Sequence, residues 1–220
     1  MTYVKISGIV TSEDAHAAVD AGADLLGFFC SGGGARAVSP EMFRMISSGL
    51  SPAVRRVGIF AAPAAATPDD WRLAAQELSE QFQLIQYADN ALWPQVIKTD
   101  WDMRRKIKAF SIASDRDLRA VAAFNGLVQN LLLNVHAGPH EGFQSGDTYG
   151  WELAREVRQY GKNIYLAGGL TPQNVGAAIL RVHPYAVDVT VGVERHPGEL
   201  DANLMHEFVK KVREADRRLS

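Results

Sequence analysis

VKISGIVTSEDAHAAVDAGADLLGFF, residues 4–29, reads as one strand–helix–strand unit. Residues 4–9 are a short, mostly apolar run. Thr11 or Ser12 can cap a helix over residues 12–21, and Gly22 lies just past its end. A second apolar run follows at residues 24–29. Its apolar residues stand on consecutive positions rather than alternate ones, which is how a parallel strand reads when both of its faces are covered.

The same rhythm continues outward to the end of the chain. Further apolar runs lie at residues 56–60, 82–87, 106–112, 128–135, 163–167 and 186–191. Helix-like segments lie at 40–48, 69–80, 91–99, 115–124, 149–160, 172–182 and 202–218. Ser39-Pro40 and Thr171-Pro172 each supply a cap and a first-turn proline, and Gly49 and Gly161 mark helix ends. The segment 61–67 (AAPAAAT) reads as a loop after the third strand. Eight strand–helix units in 220 residues predict an α/β, single-domain (β/α)8 TIM barrel over residues 1–220. A doubly wound open sheet shares this alternation and remains the structural alternative. The first strand, however, leads into Ser7-Gly8-Ile9-Val10 and not into a dinucleotide-binding glycine fingerprint.

Composition narrows the partners. A net charge of -2 with no run of like charge argues against nucleic acid or an anionic membrane surface. No apolar run approaches the roughly 20 residues needed to span a bilayer, and the start MTYVKISGIV lacks a signal-peptide pattern. A single cysteine, Cys30, suits a reducing compartment. The expectation is a cytoplasmic globular protein, monomeric or homodimeric, acting on a small molecule.

In such a barrel the chemistry gathers where the strands end. Those ends carry Ser7, Cys30 and Arg36, then Gln83 and Gln86, Ser111, Asn134 and His136. The last two loops carry Gly168-Gly169 and Thr190-Val191-Gly192. Glycines there let backbone N–H groups approach a ligand, and loops seven and eight are where these barrels often hold phosphate. A phosphorylated small molecule is therefore the expected ligand, although glycines of this kind also serve merely as tight turns. His136, His140 and Glu141 carry metal-ligating atoms, but loop histidines are more often solvated, and no metal site is assigned. His136 instead stands two residues past Asn134, on the same face if the strand persists, as a candidate acid or base. Cys30 reads either as a displaced nucleophile or as a half-buried thiol.

The chain resembles the phosphoribosylanthranilate isomerase family of tryptophan biosynthesis along nearly its whole length. The resemblance rests on residues 4–29, on Ala35-Arg36-Ala37-Val38-Ser39, and on VRRVGIF (54–60). It continues through FQLIQ (82–86), LLLN (131–134), LAGGLTPQNV (166–175) and VDVTVGVERHPGELD (187–201). It implies an eight-fold β/α barrel and an Amadori rearrangement, in which an N-glycosidic aminoaldose phosphate becomes an aminoketose phosphate without a metal or organic cofactor. It also implies substrate contacts at Arg36, Gln83 and Asp188, and phosphate contacts at Gly168, Gly169, Thr190, Val191 and Gly192.

Two departures bear on the chemistry. The family uses a cysteine in its first motif as general base and an aspartate ending strand six as general acid; here those positions hold Ser7 and Asn134. A thiol ionises near pH 8.5, about where it is readily tuned into a base. An unactivated serine hydroxyl is essentially never ionised near neutral pH, and an asparagine has no acidic proton. Each such role is worth about 10²–10⁴-fold in rate, so loss of both predicts roughly 5 kcal/mol or more of lost transition-state stabilisation. Ile85 also replaces a histidine of the family's fourth motif, and residues 136–142 depart from its glycine-rich sixth loop. The main expectation is thus an isomerase-like enzyme with diverged chemistry, using Ser7, Asn134 and His136. A non-catalytic binder and an ordinary isomerase of the family are the alternatives.

Overall fold

The computed structural model describes residues 1–31, 34–60, 81–87, 102–135 and 149–219. The eight barrel strands are β1 (Tyr3–Ser7), β2 (Leu25–Ser31), β3 (Arg55–Phe60), β4 (Leu84–Tyr87), β5 (Lys106–Ile112), β6 (Asn130–Val135), β7 (Asn163–Ala167) and β8 (Ala186–Val189). All run parallel and close in sequence order, with β1 hydrogen-bonded to both β2 and β8. That closure excludes the open doubly wound sheet. The described helices are α1 (Ser12–Asp20), α2 (Pro40–Ser48), α3 (Asp115–Ala122), α4 (Tyr149–Val157), α5 (Val175–Val182) and α6 (Ala202–Leu219). The helices expected at 69–80 and 91–99 lie outside the described residues, as does the loop at 61–67.

Local chemistry sets the helix ends. The Thr11 hydroxyl accepts from the Asp14 N–H while Asp14 accepts from the Thr11 N–H, a capping box that starts α1. Ser39 caps α2 ahead of Pro40. Thr171-Pro172 does not start a helix as expected; α5 begins at Val175. The Asn174 side chain accepts from the Thr171 N–H and donates to the Gly169 carbonyl, which fixes a turn in place of a first helical turn. Along α6, Met205, Phe208, Val209, Val212 and Ala215 form the buried stripe. The same helix carries Asp216, whose carboxylate accepts from Thr2, and Arg213, which pairs with Asp24, so it is tied to the start of β1.

The strands divide their side chains between two cores. Val4 and Ile6 pack outward with helix residues such as Ala15 and Phe208. Leu25, Val57, Ile59, Ile107, Leu132 and Tyr165 form a second cluster of strand residues inside the barrel. Strand period two then turns Lys5 and Ser7 of β1 inward, on the face opposite Val4 and Ile6. On β8, Asp188 likewise faces inward between Val187 and Val189, which pack outward. The β1–β8 register sets Lys5 beside Asp188, and the β3–β4 register sets Ile59 beside Gln86. Among the described residues no helix is long and apolar enough to cross a membrane.

Candidate active site

A cavity of about 630 Å³ opens at the carboxyl ends of the strands, within the size range of sites for small ligands. Ser7, Arg36, Asn134 and Asp188 line it, and so do Gly168, Gly169, Thr190, Val191 and Gly192. Nine residues read from the sequence as site residues are thus brought to one mouth. Gln83 is not among them. It stands one residue before β4, at the opposite end of the barrel, where its side chain accepts from the Arg56 N–H. Gln86, three residues farther on, reaches the cavity instead, near the carboxyl end of β4 and on its inward face. His136, His140 and Glu141 lie outside the described residues, and those described contain no group of three metal-ligating side chains. Cys30 faces the helix layer beside Phe28, its thiol directed at the Phe28 carbonyl. Burial pushes that thiol up to about 12, which removes it as a nucleophile or base near neutral pH.

The floor of the cavity is a hydrogen-bonded group of four side chains. Lys5 Nζ donates to Gln86 Oε1 at 2.6 Å and to Asp188 Oδ2 at 2.9 Å. Ser7 Oγ donates to Asp188 Oδ1 at 2.7 Å. Lys5 is fully buried, and Ser7, Gln86 and Asp188 are each less than one-tenth exposed. Burial pulls the Lys5 ammonium down, while the Asp188 carboxylate beside it opposes that shift. Gly27 on β2 leaves the space that the Ser7 side chain occupies, since a Cβ there would overlap Ser7 Oγ. Lys5 falls outside the sequence-read set, although strand alternation through Val4-Lys5-Ile6-Ser7 already gives it the inward face of Ser7.

One wall is built around Arg36, in the short turn Gly34–Arg36. Its Nε and Nη2 donate to the two carboxylate oxygens of Glu194 at 2.5 and 2.6 Å. This two-point contact fixes the guanidinium plane and holds the Glu194 carboxyl below its ordinary range. Glu194 comes from β9 (Glu194–His196), which forms a small hairpin with β10 (Glu199–Leu200) just after β8.

The loops after β7 and β8 form another part of the rim. Gly168 has φ +98°, and a Cβ there would come within 2.5 Å of the Val135 carbonyl oxygen and 2.7 Å of Asn134 Oδ1. Gly192 sits in the single turn Val191–Val193, where a Cβ would overlap the Leu170 carbonyl. Both positions therefore exclude a side chain, and the two loops pack backbone against backbone beside the cavity.

The model of the N-(5'phosphoribosyl)anthranilate isomerase family matches residues 4–211. The N-(5'-phosphoribosyl)anthranilate isomerase of Trichlorobacter lovleyi is 37% identical over 98% of this chain and 100% of its own length. The phosphoribosyl anthranilate isomerase structure from Thermotoga maritima is 32% identical, with a TM-score of 0.79 over 97% of this chain and 100% of that one. Another solved isomerase, in complex with reduced 1-(o-carboxyphenylamino)-1-deoxyribulose 5-phosphate, is 31% identical with a TM-score of 0.77 and the same coverage. With its eight strands closed in the order such a barrel requires and its sequence matched almost end to end, this chain belongs to the phosphoribosylanthranilate isomerase family.

Proposed function

We propose that the chain is a cofactor-independent isomerase that converts N-(5'-phosphoribosyl)anthranilate to its aminoketose phosphate in the cytoplasm, as a monomer or homodimer. The observation that carries this reading is the convergence of Asp188, Ser7, Arg36 and the paired glycine loops on one cavity of ligand size. The end-to-end match to the isomerases supports it further. The glycine loops after β7 and β8 offer backbone N–H groups to the phosphate. Arg36, its plane fixed by Glu194, takes the anthranilate carboxylate with the remaining guanidinium donors. The ribosyl carbons then lie over the Ser7–Asp188 floor, between the two ends.

Ser7 and Asn134 favour a second reading, in which the cavity binds such a ligand but works on it with diverged chemistry or not at all. Growth of a tryptophan auxotroph that lacks the isomerase separates the two. The first reading predicts growth with the wild-type chain. No growth with the wild type, together with growth with Ser7→Cys/Asn134→Asp, would favour the second.

A further inference from the structure

The Ser7 hydroxyl spends its one proton on Asp188 Oδ1, so toward the cavity its oxygen presents lone pairs. Asp188 Oδ2 is held from behind by Lys5, whose ammonium also donates to Gln86. A carboxylate that accepts from a hydroxyl can take that hydroxyl's proton, and the Lys5 bond fixes the orientation of this one. We infer that Asp188 is the terminal base of the rearrangement, that Ser7 relays the proton to it, and that Lys5 and Gln86 are positioning residues that hold Asp188 in place. The inference rests on the isomerase reading above and assigns the proton-transfer group that Ser7 alone cannot supply.

The proton balance closes without any other reactant than solvent. Ring opening breaks the bond from C1 to the ring oxygen; that oxygen takes up a proton, and the nitrogen lone pair forms a C=N bond. The C2–H bond then breaks, its proton passing to Ser7 Oγ as the Ser7 proton passes to Asp188 Oδ1. The C2–H electron pair becomes a C1=C2 bond, and the C=N electrons return to nitrogen. Reversal of the relay delivers the proton from Asp188 through Ser7 to C1. The 2-hydroxyl releases its proton to solvent as the ketone forms, which balances the proton taken up in ring opening.

The test is hydrogen exchange at C1 of the ketose product, 1-(o-carboxyphenylamino)-1-deoxyribulose 5-phosphate, in heavy water, followed by NMR. It is run beside forward turnover for wild type, Ser7→Ala, Asp188→Asn and the double variant. Exchange exercises the relay alone and needs no acid at the ring oxygen. Each single substitution is expected to slow exchange by about 10²-fold or more with little change in KM. The double variant is expected to stay within about threefold of the slower single, because two groups that act as one unit are not additive. Ser7→Ala leaves the Lys5–Asp188 pair untouched and so covers the case in which Asp188→Asn folds poorly. Wild-type exchange that survives Ser7→Ala or Asp188→Asn, or losses that simply multiply in the double variant, would overturn the relay and leave the isomerase reading standing. Relay-dependent exchange without forward turnover would uphold the relay and overturn that reading. Absence of both activities in the wild type would overturn both.

Discussion

Replacing Lys5 by methionine puts the floor of the cavity under the hardest test. The methionine fills most of the lysine volume but donates no hydrogen bond. Asp188 Oδ2 then loses a cation at 2.9 Å, and Gln86 Oε1 loses its donor at 2.6 Å. Removing one partner of a buried ion pair typically costs about 3–5 kcal/mol, because the surviving charge stays desolvated. Asp188 is 8% exposed at the bottom of an open cavity, where water relieves part of that penalty. The expectation is therefore the lower end, about 3 kcal/mol. In a chain of this length each kcal/mol moves Tm by about 2–4 °C, so Tm falls by roughly 6–12 °C. Asp188→Leu on top of Lys5→Met removes the stranded charge and restores part of the loss, since a buried pair exchanged for apolar groups is often nearly neutral. Circular-dichroism melts and urea titrations of wild type, both single variants and the double variant measure the coupling. A Lys5→Met variant within about 1 kcal/mol of wild type would refute the buried-pair reasoning.

Other outcomes follow from the walls of the site. The Glu194 carboxyl is held below its ordinary range chiefly by the Arg36 bonds, with a further bond from the Gly198 N–H. Its contribution to stability is thus fully present above the unfolded value of about 4.3 and is lost as pH falls through the lower folded value. Melting between pH 7 and pH 3 is expected to show a shallower acid loss for Glu194→Gln than for wild type; parallel curves would contradict it. At Gly192 an added Cβ meets the Leu170 backbone carbonyl, which cannot swing aside. Gly192→Ala is expected to cost about 1–3 kcal/mol in stability and to weaken binding of inorganic phosphate in calorimetry. Gly169→Ala should cost less, about 1 kcal/mol, because nothing lies within 4 Å of its Cβ position and the penalty comes from φ +60° alone. Equal effects at the two glycines would contradict the packing of loop against loop.

The barrel was legible because its strands are covered on both faces and read as apolar runs. The span 163–167 matches β7 and 106–112 matches β5, whereas the run 4–9 overshoots β1, which ends at Ser7 before Gly8 at φ +91°. The glycine loops were legible because the close approach of Gly168 to Val135 and of Gly192 to Leu170 leaves no room for a side chain, so those positions stand out as glycines in the sequence. Gln83 was misplaced because reading a run from Phe82 to Tyr87 does not say where β4 starts, and a shift of a few residues carries a side chain from one mouth of the barrel to the other. Lys5 and Glu194 were harder still. A lysine inside VKIS becomes meaningful only when β8 closes the barrel beside β1 and supplies Asp188, 183 residues away in sequence. The Arg36–Glu194 pair likewise spans 158 residues. Ser7 and Asn134 stood out in the motifs, but the carboxylate that touches Ser7 was visible only in the fold.

Under the proposed function this cavity isomerises N-(5'-phosphoribosyl)anthranilate with Ser7 and Asn134 in place. The most direct measurement is steady-state turnover of that substrate by the purified wild-type chain against a no-enzyme control. The expected result is a rate above the control that falls by about 10²-fold or more in Asp188→Asn. A wild-type rate equal to the control, with the substrate nevertheless bound in the cavity, would contradict it.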